Sequence, residues 1–455
     1  MRTKIAIILF LSVLASLQVE AQEIFNLQRC IDYALENNSN LKKSKLELEK
    51  SFESRREIMG SLLPQISGSG SLNYNLKKTQ FVMPNFVNDM LPPNMQDPNA
   101  SKYMTIEMGT NYSAGVGATL NQQILNFTLF STLEIAKTAE SMATLGIESK
   151  EEEVIAQTAS IFYAVQSTAY AAEQFKQSIK LIDRMLVTME SNYQNGLVKK
   201  VDLDRLKVNR VNLSTQQSAI ENAIDIQKNL LKLQMGMDIN QPIEIEEIDL
   251  DVFEQKVEMP QLQGFELTQL IPFQLIQQQH KIGYLQVKSV KSELLPSLML
   301  GVNYQYNLLG DKLFGSDDSY SYPTSVVGLN LRIPIFAGMS KNAKLKGAQI
   351  ELMKLREDEQ SVGQSLTMAY QNALLKLSDS RQTIDAQRQN MELAAEVFRI
   401  TEENYQQGLA SMSDVLNANS SLIQSQISYA DALSKHMTAY IELRKANGTI
   451  KKLVK

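Results

Sequence analysis

Tryptophan is absent from this 455-residue sequence, and cysteine and histidine are nearly so, at one and two residues. A lone cysteine, Cys30, excludes an internal disulfide, and it is not placed to carry a lipid at an export cleavage site. With only His280 and His436 beside it, no zinc-type ligand set can be assembled. Both histidines lie in helical patterns, and no Gly-x-Ser-x-Gly motif occurs, so nothing points to a nucleophile with its base and oxyanion site. The expectation is therefore no enzyme, no metal and no cofactor. The net charge is −5 with both signs interspersed, and without a basic stripe nucleic acid is not an expected partner. Proline (11) and glycine (20) are sparse, while Gln, Asn, Ser, Leu, Lys and Glu abound, a mixture that favours long helices with wet outer faces.

Long hydrophobic runs are also lacking, apart from the N-terminus. Arg2 and Lys4 precede an apolar stretch from Ile5 to Leu17, and Val19-Glu20-Ala21 supplies a cleavage site that leaves Gln22 first. The run is short for a bilayer-spanning helix, so residues 1–21 are read as a secretory signal and the mature chain as exported. No later segment approaches the ~20 apolar residues of a membrane helix.

What the sequence does have is an internal duplication. Asn192-Tyr-Gln-Asn-Gly-Leu197 reappears as Asn404-Tyr-Gln-Gln-Gly-Leu409, 212 residues on, and the same offset pairs Asp202 with Asp414. Leu62-Leu-Pro64 matches Leu294-Leu-Pro296, with Tyr74-Asn75 and Tyr306-Asn307 in the same register. Gln123-Ile-Leu125 answers Pro334-Ile-Phe336. The offset shortens between these last two pairs because the loop after Asn75 is longer than the one after Asn307. Repeat 1 is assigned to 22–250 and repeat 2 to 251–455. Each reads as a helix, two strands, a very long helix, a tight turn and a returning helix. A segment from about Gly236 to Gln263, with Pro242, Pro260 and an acidic stretch, joins them as a short strand plus linker.

Four stretches alternate with period two: 65–76, 111–122, 297–308 and 327–335. In the second, Tyr112, Ala114, Val116, Ala118 and Leu120 alternate with Ser113, Gly115, Gly117, Thr119 and Asn121. Half-buried hairpins on a soluble core show the same alternation. Two facts favour a membrane barrel around water: the polar faces are nearly free of charge, and the chain is exported. Four strands are too few to close a barrel, and open edges are costly in lipid, so a barrel must be shared between chains. A trimer gives 12 strands and a dimer eight; the alternation alone does not choose between them.

From Thr128 to Gln194 there is no proline and one glycine, and Met339 to Gln407 also lacks proline. A continuous helix of such length reaches about 100 Å at 1.5 Å per residue, more than a globular domain needs. The returning helices carry seven-residue columns, Leu206–Leu213–Ile220 and Leu416–Ile423–Ala430–Met437, the latter beside Val415, Leu422 and Tyr429. The helical hairpins are expected over 128–235 and 339–450.

With these features together, the sequence resembles the TolC-like outer-membrane efflux family over essentially the whole mature chain. The resemblance is carried by Asn26-Leu-Gln-Arg-Cys-Ile-Asp-Tyr-Ala-Leu-Glu-Asn-Asn38, the two Leu-Leu-Pro strand entries, Pro334-Ile-Phe-Ala-Gly338 and the two Asn-Tyr-x-x-Gly-Leu turns. It implies a mainly α fold with a small β part. A long α-helical barrel would run through the periplasm, below a 12-stranded β-barrel in the outer membrane of a Gram-negative bacterium, shared by a homotrimer. It implies as partners a periplasmic adaptor (membrane fusion protein), an inner-membrane pump and outer-membrane lipid. The function so implied is an exit duct for small molecules such as drugs and toxic compounds, or for proteins. A periplasmic coiled-coil scaffold or adaptor is the alternative; it explains the signal and the heptads but not four barrel-type strands.

The resemblance also assigns sites. Tyr193, Gly196, Leu197, Tyr405, Gly408 and Leu409 form adaptor-docking turns at the periplasmic end. Asp202 and Asp414 fall where carboxylate rings sit at the entrance, although helix capping is the ordinary role of an Asp just after a turn. Asn417 stands where a second acidic ring is expected. Ala410 replaces a basic residue that helps hold the entrance shut, and Lys199, Lys200 and Arg205 are the nearby cations.

Overall fold

The structure, a computed structural model, describes residues 24–247, 264–312 and 319–453. The signal reading (1–21), much of the linker and the boundary at 250/251 lie outside the described residues. The chain divides into two compact units, each drawn from both halves of the sequence. One holds residues up to Glu49, Ser141–His280 and everything from Leu355; the other holds Lys50–Glu140 and Lys281–Lys354.

The second unit contains the sheet. Strands β2 (Gln65–Tyr74), β5 (Tyr112–Leu125), β7 (Ser297–Gly310) and β8 (Tyr320–Arg332) form one antiparallel sheet in the order β2-β5-β7-β8. Register places like with like: Ser71 pairs with Gly115, which pairs with Asn307, and Leu72 pairs with Ala114, which pairs with Leu308. One face is thus a row of Ser, Thr, Asn, Gln and Gly, with Asn303 Nδ2 donating to Thr119 Oγ1 at 3.0 Å across strands. The other face carries Ile66, Leu72, Val116, Tyr304, Val327, Leu329 and Leu331, all exposed in the single chain. Gly117 is required by close approach, because a Cβ there would lie 2.7 Å from the Tyr304 carbonyl oxygen.

β8 runs over Tyr320–Arg332 rather than the 327–335 read from alternation. Pro334 cannot donate to a ladder and ends it early, while Pro323, tolerated on an edge strand, masks its beginning. The segment between β2 and β5 is not a plain loop. β3 (Thr79–Pro84) and β4 (Tyr103–Met108) pair as a separate two-stranded hairpin, with a short helix α3 (Phe86–Met90) between them. At the hairpin base Asp311 accepts from the Asn111 amide at 2.9 Å and pairs with Lys78 at 2.9 Å. Near the opposite end of the sheet, Lys288 pairs with Glu134 at 2.7 Å, and Glu293 receives Lys341 and Lys344.

The first unit is helical. α1 (Leu27–Asn37) is started by Asn26, whose side chain accepts from the Arg29 amide. Its apolar side, Cys30, Ile31 and Ala34, is fully buried against residues of three long helices: α4 (Phe127–Gln194), α5 (Lys200–Met235) and α8 (Met412–Ala446). Burial pushes the Cys30 thiol up to about 12, so it is a packing residue and not a nucleophile. α2 (Ser39–Gly60), α6 (Ile271–Ser292) and α7 (Ser340–Gln406) complete the described helices longer than a few turns. α4 and α7 are 68 and 67 residues long, and α5 and α8 are 36 and 35, so the two halves carry matched helical hairpins. Ile24–Phe25 (β1) pairs in parallel with Glu244–Ile245 (β6), the short strand expected in the linker. No helix among the described residues is long and apolar enough to cross a membrane.

Candidate functional site: the paired turns of the helical hairpins

Both helical hairpins close with the same backbone device. Leu197 N donates to Asn192 O at 2.8 Å and Gly196 N to Tyr193 O at 3.0 Å; Leu409 N donates to Asn404 O at 2.8 Å and Gly408 N to Tyr405 O at 3.0 Å. These two bonds satisfy carbonyls that the helix end would otherwise leave open, and they need a left-handed residue between them. Gly196 and Gly408 provide it, at φ +71° and +77°. The residue after each glycine, Leu197 or Leu409, is about three-quarters exposed, at 73% and 75%.

Behind the turns lies an apolar cluster. Met189 of α4, Leu203 and Leu206 of α5 and Met412 and Ile423 of α8 are buried together, with Val198 and Tyr405 partly buried against them. The Leu206–Leu213–Ile220 column therefore faces inward, as its seven-residue spacing predicts. Tyr405 donates its hydroxyl to Met189 Sδ at 3.0 Å, joining the second turn to the helix that enters the first. Its phenol is pushed up in pKa by burial and then by the charge of Asp202 nearby. Tyr193, in contrast, is exposed.

The two sequence-equivalent carboxylates differ. Asp414 belongs to a capping box: Ser411 Oγ accepts from the Asp414 amide at 3.2 Å, and the Asp414 carboxylate accepts from the Ser411 amide at 2.9 Å and hydroxyl at 2.6 Å. These bonds hold its carboxyl below the usual range while the group stays exposed. In the first repeat, Lys199 stands where Ser411 stands in the second and makes no side-chain cap. Asp202 is left in the first turn of α5 with Arg205 3.7 Å away. Arg205 also donates to Ser413 Oγ at 3.1 Å, so it ties the start of α5 to the start of α8. Asn417 is exposed one turn beyond Ser413. The structure thus brings Asp202, Arg205, Tyr405 and the Ser411–Asp414 cap into one neighbourhood. Lys199 and Lys200, both exposed, make no printed bond there. The Ser-x-x-Asp spacing of the cap is visible in sequence; the Arg205 bridge, between residues 208 apart, is not.

The family model for outer membrane efflux protein matches residues 30–236 and 277–449, taking in both turns and all four sheet strands. The chain belongs to this family. It is similar to the outer membrane protein TolC of Escherichia coli, 21% identical over 439 residues that cover 93% of this chain and 82% of TolC. The solved structure of the Campylobacter jejuni CmeC outer membrane channel superposes with a TM-score of 0.70 at 17% identity, covering 93% of this chain and 85% of that one. The Neisseria gonorrhoeae MtrE outer membrane channel in its open state gives 0.69 at 16% identity, covering 94% and 90%. The chain is accordingly a protein of the Gram-negative outer membrane with the fold of the TolC-like channel-tunnels: mainly α, with a small sheet destined for a β-barrel.

Proposed function

We propose that this family member is the exit duct of a tripartite efflux or secretion system, assembled as a homotrimer. The observation that carries this reading is the open four-stranded sheet. β2 and β8 each have a neighbour on one side only, and their apolar faces are exposed. A lipid-embedded sheet cannot keep two such edges, because each unpaired backbone group there costs several kcal/mol. β2 of one copy pairing with β8 of the next closes a 12-stranded barrel when three copies meet, lipid outside and the uncharged polar face lining water. Apolar residues left exposed on α5 (Val201, Val208, Val211) and on α7 (Leu393, Val397, Ile400) supply the helical part of the same interface. The mature chain follows a cleaved leader at 1–21 and is organised as two repeats, 22–250 and 251–455.

In this reading the turns at Tyr193–Leu197 and Tyr405–Leu409 face a periplasmic adaptor, whose apolar side chains would cover Leu197 and Leu409. Asp202 and Asp414, repeated around the axis, place carboxylates at the entrance, and Arg205 takes the place of the missing basic latch at Ala410. Substrates pass without chemistry, and the inner-membrane pump supplies the energy. The test is fractionation, followed by the mass of the detergent-purified particle and its conductance in a planar bilayer. An outer-membrane trimer with discrete openings supports the reading. A water-soluble monomer without conductance defeats it and returns the scaffold alternative.

A further inference from the structure

The β3–β4 hairpin is amphipathic across its strands. Its register pairs Phe81 with Ile106 and Met83 with Met104, and places Met108 opposite Thr79. Successive residues of a strand point to opposite faces, so Phe81, Met83, Met104, Ile106 and Met108 share one face. Gln80, Thr105 and Glu107 lie on the other, where Gln80 donates to Glu107 at 3.2 Å. Nothing in the single chain covers the apolar face: Phe81 and Met108 are 57% and 54% exposed. Met90 and Met95, in the segment between the strands, are 80% and 66% exposed. An isolated two-stranded hairpin is marginal in water, and a contiguous apolar patch on it calls for an occupant.

Three observations select that occupant. The hairpin follows directly from β2, an edge strand of the sheet, so it stands at the seam where a neighbouring copy joins. Its base is fixed to its own chain by Lys78 and Asp311 at 2.9 Å, with Asp311 also holding the Asn111 amide, so it remains at the end of the sheet away from the long helices. The loop 77–110 has three lysines (Lys77, Lys78, Lys102) against Asp89, Asp97 and Glu107. An element built to lie on an anionic lipid surface carries a cationic excess, and this one has none.

We infer that the β3–β4 hairpins of neighbouring copies pack apolar face to apolar face across the external mouth of the barrel and form a cap that narrows it. The inference rests on the proposed trimer. Copies held around one axis present their hairpins to each other at high effective concentration, so even a weak pairwise contact forms.

Thiol cross-linking tests it on the full-length detergent-purified protein, since the only native thiol, Cys30, is fully buried. Met83→Cys, on the apolar face, should give a covalent dimer with a short bis-maleimide, and Thr105→Cys, on the opposite face, should give none. Phe81→Asp and Ile106→Asp together should part the hairpins and raise single-channel conductance by about twofold or more, with the particle mass unchanged. A trimer in which Met83→Cys fails to cross-link and the charged variant conducts like the parent overturns the cap and leaves the channel reading standing. Protection of Met83→Cys from a water-soluble maleimide by lipid vesicles, without cross-linking, assigns the face to lipid and also overturns it. A particle that is not a trimer removes the reading on which the cap depends.

Discussion

Ser411 and Lys199 occupy equivalent places at the starts of α8 and α5, and only Ser411 caps its helix. Ser411→Ala should therefore destabilise the protein by about 1 kcal/mol, read by thermal or denaturant unfolding, whereas Lys199→Ala should leave it nearly unchanged. Asp414→Asn keeps the acceptor geometry of the cap while removing the charge, so it separates capping from any role of the carboxylate in the pore. His436 offers a second residue-scale test. It is buried on α8 with Nδ1 2.9 Å from Ser380 Oγ, and burial, then the nearby Arg381, lowers its pKa. The unfolded chain, with an ordinary imidazole near 6.5, takes up the proton first as pH falls. This group is thus neutral in effect above that value and costs stability progressively below it. The melting temperature should fall between about pH 7.5 and about pH 5.5, and the fall should be smaller in His436→Gln.

At the scale of elements, the long helices and the sheet strands were legible because each has one period over many residues. Absence of proline marked α4 and α7 to within a residue of their ends, and the Asn-Tyr-x-x-Gly-Leu repeats marked where they stop. β8 was legible only in its second half, because Tyr320-Ser321-Tyr322-Pro323 does not alternate apolar with polar. The β3–β4 hairpin was missed: its strands are six residues each, interrupted by prolines, and pair across a segment with a helix of its own. Of the site, the turns and the two carboxylates stood out as repeats. The links that gather them, Arg205 to Ser413 and Tyr405 to Met189, join residues more than two hundred apart, and no local pattern encodes them. Two substitutions test element-level claims. Gly117→Val forces a side chain against the Tyr304 carbonyl oxygen and should prevent the sheet from assembling, seen as loss of the heat-modifiable oligomer on gels. Arg205→Ala removes an exposed bridge worth about 0.5 kcal/mol or less. It should barely move the melting temperature, yet raise the open probability of the channel in bilayers if the bridge steadies the entrance.

For the whole molecule, the decisive quantity is the assembly. Multivalent cations applied from the periplasmic side should block the pore, and the combined Asp202→Asn and Asp414→Asn variant should relieve that block with unfolding unchanged. Relief without a change in stability separates a charged entrance from two ordinary helix starts. The open edges of the sheet reach further, into genetics. A chain whose β2 and β8 find partners only on other copies cannot finish folding by itself, so a defective edge is not a private fault. Expressed in equal amount beside the parent, a variant with a proline placed in the middle of β2 would leave only about one particle in eight free of it if mixing is random and three copies meet. Such an allele should be dominant, and cells carrying both copies should lose most of their exit ducts while holding half their normal protein.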